Sequence, residues 1–309
     1  MKYSKIVKLV ERWKKLQILN LNRMNDALFK NIFTKNTDIT LSLINSVFEF
    51  QGSALISDIE IIDRNLDAEE EDGKESRLDL LGRSPDGSVI NLEIQVAKQE
   101  YMGRRSLYYW SRLYNNGLKS GEEYTELKRT VAINILDFNL FDKKIYPNYH
   151  SCFGVYDIKT GNLLTSDCEI HFLELPKWHL KSVKETNRLE RWLSYFSKHT
   201  TIKELEEIAM ADPAIEKAFH AESLFTQDEI NRRRYELSEK NQRDRIAQMK
   251  YAIKEAVSEA LNEEREKYAQ EEENRVVRWI KKGKSLDDIL DFSSLPPERV
   301  QQLFTEHQK

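Results

Sequence analysis

The sequence predicts an α/β fold, an α-β-β-β-α-β core with a mixed sheet, followed by an all-helical C-terminal region. Three observations carry that expectation. Two alternating runs, Arg77-Leu78-Asp79-Leu80-Leu81 and Val89-Ile90-Asn91-Leu92-Glu93-Ile94-Gln95-Val96, flank Ser84-Pro85-Asp86-Gly87. Proline presets φ and glycine tolerates positive φ, so this order reads as a β-hairpin. A helical stretch near 100–120 leads into the apolar run Val131-Ala132-Ile133-Asn134-Ile135-Leu136, a strand–helix–strand pattern. Residues 228–282 are dense in charge, with Ile246, Met249, Ile253, Ala256 and Ala260 at helical-seam spacing.

The elements follow in order. Residues 1–22 form a basic amphipathic arm, in which Lys2, Lys5, Lys8, Arg12, Lys14 and Lys15 surround Val7, Leu9, Val10, Trp13 and Leu16. A short helix covers 25–33, with Asn25 or Asp26 placed to cap it. A second covers about 37–49, with Thr37 as cap and Leu41, Ile44, Val47 and Phe48 as its buried stripe. Ile56 to Asn65 alternates as a strand, and Glu69-Glu70-Glu71-Asp72-Gly73 is a solvated acidic loop. The hairpin, the helix and the strand at 131–136 come next. Ser151 to Lys159 and Glu169 to Leu175 read as strands added to the sheet, closed by Pro176-Lys177-Trp178. Helices begin near Asn187. The tail is punctuated by Gly283, by Ser285-Leu286-Asp287-Asp288 and by Ser294-Leu295-Pro296-Pro297-Glu298. Its short helices place Trp279, Ile280, Leu286, Ile289, Leu290, Val300 and Leu303 inward. The expected domains are an arm at 1–22, a core at 23–180, and a helical region at 181–309 with a coiled-coil segment and a small C-terminal module.

Chemistry concentrates on the hairpin. Side chains alternate along a strand, so Asn91, Glu93 and Gln95 share one face, and Ile90, Leu92, Ile94 and Val96 the other. A tight turn brings Asp79 close to Glu93 across the ladder. Two neighbouring carboxylates repel unless compensated, and Mg²⁺ is held by one or two carboxylates plus waters and phosphate oxygens. A solvated polar face is the plain alternative. On the following helix, 100° spacing puts Gly103, Leu107, Trp110, Tyr114 and Leu118 on an inward stripe. Arg104, Arg105, Tyr108 and Arg112 fall on the outward side, where arginine can clamp phosphate and tyrosine can stack on a base.

The chain resembles the PD-(D/E)XK nuclease superfamily, and within it the recombination-promoting nuclease/putative transposase family. The resemblance rests on Asn25-Asp26-x-x-Phe29-Lys30-x-x-Phe33, Leu78-Asp79-Leu80 and Asn91-Leu92-Glu93-Ile94-Gln95. It continues through Arg104-x-x-x-Tyr108-Tyr109, Leu113-Tyr114, Gly121-x-x-Tyr124 and Ile133-x-Ile135-Leu136-Asp137-Phe138. Gln95 stands where the superfamily usually has lysine, as it does in members of this transposase-like family. The resemblance implies a restriction-endonuclease-like core and metal-dependent hydrolysis of DNA, in recombination or transposon-like mobility. Asp79 and Glu93 would hold Mg²⁺ (Mn²⁺ can substitute) with the Ile94 carbonyl, and Gln95 would orient the attacking water. Asp26 is either an accessory acid or an N-cap, and Lys30 either faces phosphate or is exposed. Lys30, Arg104, Arg105, Tyr108 and Arg112 are the expected DNA contacts. The alternative is a DNA-binding or assembly protein that keeps the nuclease fold without activity.

Composition excludes other classes. With 48 basic and 52 acidic residues, a net charge of −4 argues against a general polycation. No Walker-type or dinucleotide glycine motif and no His-Glu-x-x-His occurs. Cys152 and Cys168 are too few for a disulfide scaffold or a zinc site, and no run approaches the roughly 18 to 20 apolar residues of a spanning helix. The expectation is a cytoplasmic protein with DNA as partner and no membrane, whose C-terminal helical seam either pairs protomers in a homo-oligomer or packs against its own domain.

Overall fold

The computed structural model describes residues 21–49, 55–62, 79–99, 101–180 and 182–307. The arm through residue 20, residues 63–65 of the first expected strand, the acidic loop, and Arg77 and Leu78 lie outside the described residues.

Two helices lead the core. In α1 (Asp26–Lys35) the cap is Asn25, whose side chain accepts from the Ala27 and Leu28 amides. Asp26 therefore sits in the first turn with its carboxylate released from capping. α2 (Thr37–Val47) starts from Asn36 without a side-chain cap, so Thr37 does not fill that role. It buries Ile39, Leu43, Ile44 and Val47, while Leu41 and Phe48 are only partly covered.

The strands are β1 (Glu60–Ile62), β2 (Leu80–Arg83), β3 (Val89–Gln95), β4 (Thr130–Leu136), β5 (His150–Tyr156) and β6 (Leu163–Glu174). Among the described residues they form one mixed sheet in the order β1-β2-β3-β4-β6-β5. β1–β2, β2–β3 and β5–β6 are antiparallel, whereas β3–β4 and β4–β6 are parallel. β6 begins earlier than its apolar end suggested, because β5 pairs along its polar half.

The hairpin turn is built by Asp86. Its Oδ1 accepts from Ser84 Oγ at 2.5 Å and from the Ser88 amide at 3.0 Å, and its Oδ2 from Ser88 Oγ at 2.9 Å. Gly87 takes φ +87°, a left-handed value that a side chain would strain. In β2, a Cβ on Gly82 would lie 2.4 Å from Ile59 Cδ1, so glycine is what lets Ile59 pack over the strand.

Both faces of the sheet are covered. Ile90, Leu92, Ile94, Val131, Ile133 and Ile135 join α1 and α2 in the main core. α4 (Arg188–Phe196), α5 (Ile202–Ala211) and α6 (Pro213–Gln227) complete it. Phe29, Phe33, Trp192 and Phe196 contact one another there, with ring centroids 4.6–6.2 Å apart. Burying an apolar side chain of this kind is worth about 1.5–3 kcal/mol. The opposite face carries α3 (Met102–Asn115) over Ala132, Leu136, Ile170 and Phe172. A buried ion pair ties the first residues to α6: Arg23 grips Glu222 at 2.8 and 3.2 Å, and Tyr195 Oη donates to Glu222 at 2.6 Å.

Because α4, α5 and α6 fill the main core, the chain does not divide near residue 180. The two compact units are Met1–Lys240 and Asn241–Lys309. α7 (Glu229–Lys281) runs across that boundary. In the second unit, α8 (Leu286–Phe292), α9 (Pro297–His307) and the end of α7 enclose Val276, Ile280, Ile289, Val300 and Leu303. Trp279, Leu286 and Leu290, also expected inward, are partly buried against them.

Candidate active site

The open end of the hairpin gathers the charged groups. Leu80 pairs with Leu92, and extending that register by one pair sets Asp79 across from Glu93. Glu93 is in turn beside Asn134 in the parallel register of β3 and β4. Asp79 Oδ2 accepts from the Ile94 amide at 3.0 Å, which ties the acid to the strand that carries Glu93. Lys30, one turn into α1, lies 3.1 Å from Asp79 Oδ1 and 2.5 Å from Asp26 Oδ1. The structure thus links Asp26, Lys30 and Asp79 in one chain of charge. Burial pushes the Asp79 carboxyl up to about 7; the Lys30 charge opposes that rise, and the hydrogen bond and charge of Asp26 add to it.

Glu93 is only 4% exposed. Asn91 Nδ2 donates to its Oε1 at 3.3 Å, and Arg105 Nη2 stands 3.9 Å from its Oε2. Arg105 Nη1 donates to Gln99 Oε1 at 2.9 Å. Asn91 Oδ1 and Arg105 Nε are buried with no hydrogen-bond partner among the described residues. Among the described residues Gln95 Nε2 reaches the Ala97 carbonyl, at 3.3 Å, and the Gln95 carbonyl is taken by the Asp137 amide at 2.9 Å.

Of the expected inward stripe of α3, Trp110 packs against the core of this face, but Leu107 is 52% exposed and the fully buried positions are Met102 and Ser106. The sheet surface beneath is polar: Ser106 Oγ and Asn134 exchange hydrogen bonds at 2.8 and 3.1 Å, and Trp110 Nε1 donates to the Thr130 carbonyl at 2.7 Å. A small hydroxyl fits that surface and a leucine does not. The resulting phase turns Arg105 inward to Glu93, while Arg104 and Tyr108 stay exposed. Arg112 lies over the Tyr108 ring at 5.9 Å.

Asp79, just before β2, and Glu93 on β3 supply carboxylate oxygens of the kind a hard divalent cation takes, Asp26 a third, and Asn91 an amide oxygen without a partner among the described residues. Among those residues the three acids do not gather into one metal-sized cluster, and the Lys30 ammonium sits against Asp79. Gln99, Asn134 and Ser106 were missed from sequence; only the register of β3 against β4 and the phase of α3 bring them here.

No described helix is long and apolar enough to cross a membrane. No curated protein and no solved structure matches the chain. The family model described as PD-(D/E)XK nuclease family transposase matches residues 23–252. That span holds the described sheet and the hairpin acids, and the family's description implies a nuclease-like role; nucleases of this kind typically use divalent metals and act on DNA. With well over half of its residues inside that match, the chain belongs to the PD-(D/E)XK nuclease family transposases.

Proposed function

We propose that the protein is a Mg²⁺-dependent DNA endonuclease that hydrolyses phosphodiester bonds in recombination or transposon-like mobility. The observation that supports it is Asp79, immediately before β2 and hydrogen-bonded to the Ile94 amide of β3, next in sequence to the buried Glu93, with Lys30 beside Asp79 and Arg105 beside Glu93. Asp79 and Glu93 hold the ion, with the Ile94 carbonyl as a further ligand and Asp26 as accessory acid. When bound, Mg²⁺ lowers the pKa of a coordinated water and neutralises charge on the scissile phosphate. Gln95 orients the attacking water through its carboxamide, since it cannot act as a base. Lys30 and Arg105 leave their carboxylate partners to meet phosphate charge. Arg104, Tyr108 and Arg112 bind the DNA backbone on the exposed side of α3.

The helical C-terminal region supplies the homo-oligomer contact in this reading. Met249 and Ile253 are exposed along α7, as the seam requires, and Ala256 and Ala260 with them. Cytoplasmic location suits the free thiols of Cys152 and Cys168.

Nicking of supercoiled plasmid in Mg²⁺ tests the proposal. Wild type converts plasmid to nicked circles, while Asp79→Ala and Glu93→Ala lose at least about a hundredfold in rate, the scale of removing one charge-stabilising group. Undiminished cleavage by both variants removes the site. The Lys30 and Arg105 contacts favour one rival, a DNA-binding protein that keeps its acids neutralised; binding without cleavage under any divalent ion would establish it.

A further inference from the structure

β5 and β6 place a second set of metal-ligating groups on the face opposite Glu93. Cys152 pairs with His171 in the antiparallel register, and Glu169 lies two residues earlier on the same face of β6. The Cys152 Sγ to His171 Nε2 distance is 3.7 Å, and His171 Nε2 to Glu169 Oε2 is 3.2 Å. One ligand atom from each of the three residues lies within 4.8 Å of the others. Zinc bonds of about 2.0–2.3 Å in a tetrahedron give edges of about 3.6 Å for S···N and about 3.4 Å for N···O. Two edges are therefore within about 0.2 Å of a formed site. The third closes with a small side-chain rotation.

The surroundings orient the ligands. His150 Nε2 lies 2.9 Å from His171 Nδ1. With Nδ1–H donating to His150, the His171 Nε2 lone pair faces Cys152 and Glu169, the outer-shell arrangement typical of ligating histidines. Arg129 Nη2 donates to Glu169 Oε2 at 2.7 Å and packs over Phe48, whose ring also meets His171 edge-on. The same carboxylate carries a second oxygen, Oε1, that can also ligate an ion.

We propose that Cys152, His171 and Glu169 bind one Zn²⁺, with water in the fourth position at the exposed Cys152 end, and so clip the edge strand β5 to β6. Thiolate and imidazole select a borderline-soft ion over Mg²⁺, which sets this site apart from the all-oxygen group at the hairpin. Binding replaces the Cys152 S–H bond with an S–Zn bond and releases the proton to water. β5 is the edge of the sheet, and its pairing slips between Phe153 and Tyr156. A metal tie there strengthens the pairing that the bulge weakens.

Metal-free full-length protein titrated with Co²⁺ tests the site. The expected result is a near-ultraviolet thiolate-to-Co²⁺ charge-transfer band that saturates at one equivalent, is displaced by Zn²⁺, and accompanies a rise in melting temperature with Zn²⁺. Cys152→Ser abolishes the band. Cys168→Ser keeps it, because Cys168 packs with Ile170 and Phe172 on the other face. His150→Ala weakens Zn²⁺ binding by about 10–100-fold, the range for a group that supports a ligand, and Glu169→Gln, which removes a ligand, weakens it at least as much. Asp79→Ala changes none of these readouts, so failure of the nuclease reading is separable. A wild type without the band at one equivalent of Co²⁺ overturns the proposal. So does a band that survives Cys152→Ser, or Zn²⁺ affinity unaltered in both Glu169→Gln and His150→Ala.

Discussion

At the residue scale, Asp79 is a buried carboxyl set against the charges of Lys30 and Asp26. Burial raises its carboxyl to about 7, against an ordinary value near 3.8, although Lys30 sits 3.1 Å away. A carboxyl raised by folding favours the native state when protonated. Its stabilising contribution is complete below the unfolded value and is lost as pH rises through about 7. A carboxamide in its place cannot ionise, yet keeps an oxygen to accept from the Ile94 amide. Without divalent ions, Asp79→Asn is therefore expected to be more stable than wild type at pH 8, by on the order of 2–4 kcal/mol, with the gain vanishing toward pH 4. Urea titrations at the two pH values check this; an equal gain at both would break the link to ionisation. With Asp79 as a ligand, as proposed, divalent-ion binding is expected to weaken as pH falls below 7, since the proton and the cation compete for one carboxylate.

At the element scale, α3 is where pattern and packing part company. Spacing alone favours Leu107 as an anchor, but the sheet face beneath is lined by Asn91, Glu93 and Asn134. Met102 and Ser106 take the inward positions, and Arg105 follows them round to Glu93. Met102→Ala, at 0% exposure, is expected to cost about 2–5 kcal/mol. Leu107→Ala should stay within about 0.5 kcal/mol. Chemical denaturation of the two variants measures the phase of the helix, and a larger loss for Leu107→Ala would reverse it. The hairpin behaves differently. Its turn and its alternation are both local, and Asp86, Gly87 and the residues from Val89 to Gln95 fall where the sequence puts them.

At the scale of the whole molecule, each compact unit has its own apolar centre. The first is organised around Phe29, Phe33, Trp192 and Phe219, and the second around Val276, Ile289 and Val300. Separate cores predict separate unfolding. Ile289→Ala, fully buried, is expected to cost the second unit about 2–5 kcal/mol and leave the first unchanged. Calorimetry should register this as a lowered transition beside an unmoved one. A single transition displaced as a whole would mean that the units melt together.

The sequence by itself determined the hairpin, the start of α1 at Asn25 or Asp26, and the order of strands and helices; tertiary structure chose Asn25 as the cap. The first three follow from turn chemistry, capping and period-two alternation, which act over a few residues. Tertiary structure alone decided the turn of Arg105 toward Glu93, the pairing of Lys30 with two carboxylates, and the joining of helices beyond 180 to the main core. It also decided the meeting of Cys152 with His171. Counting cysteines argued against a zinc site, but a ligand set drawn from two strands depends on register. Register is fixed by which face each strand must bury, and that is settled only when the sheet and its helices pack together.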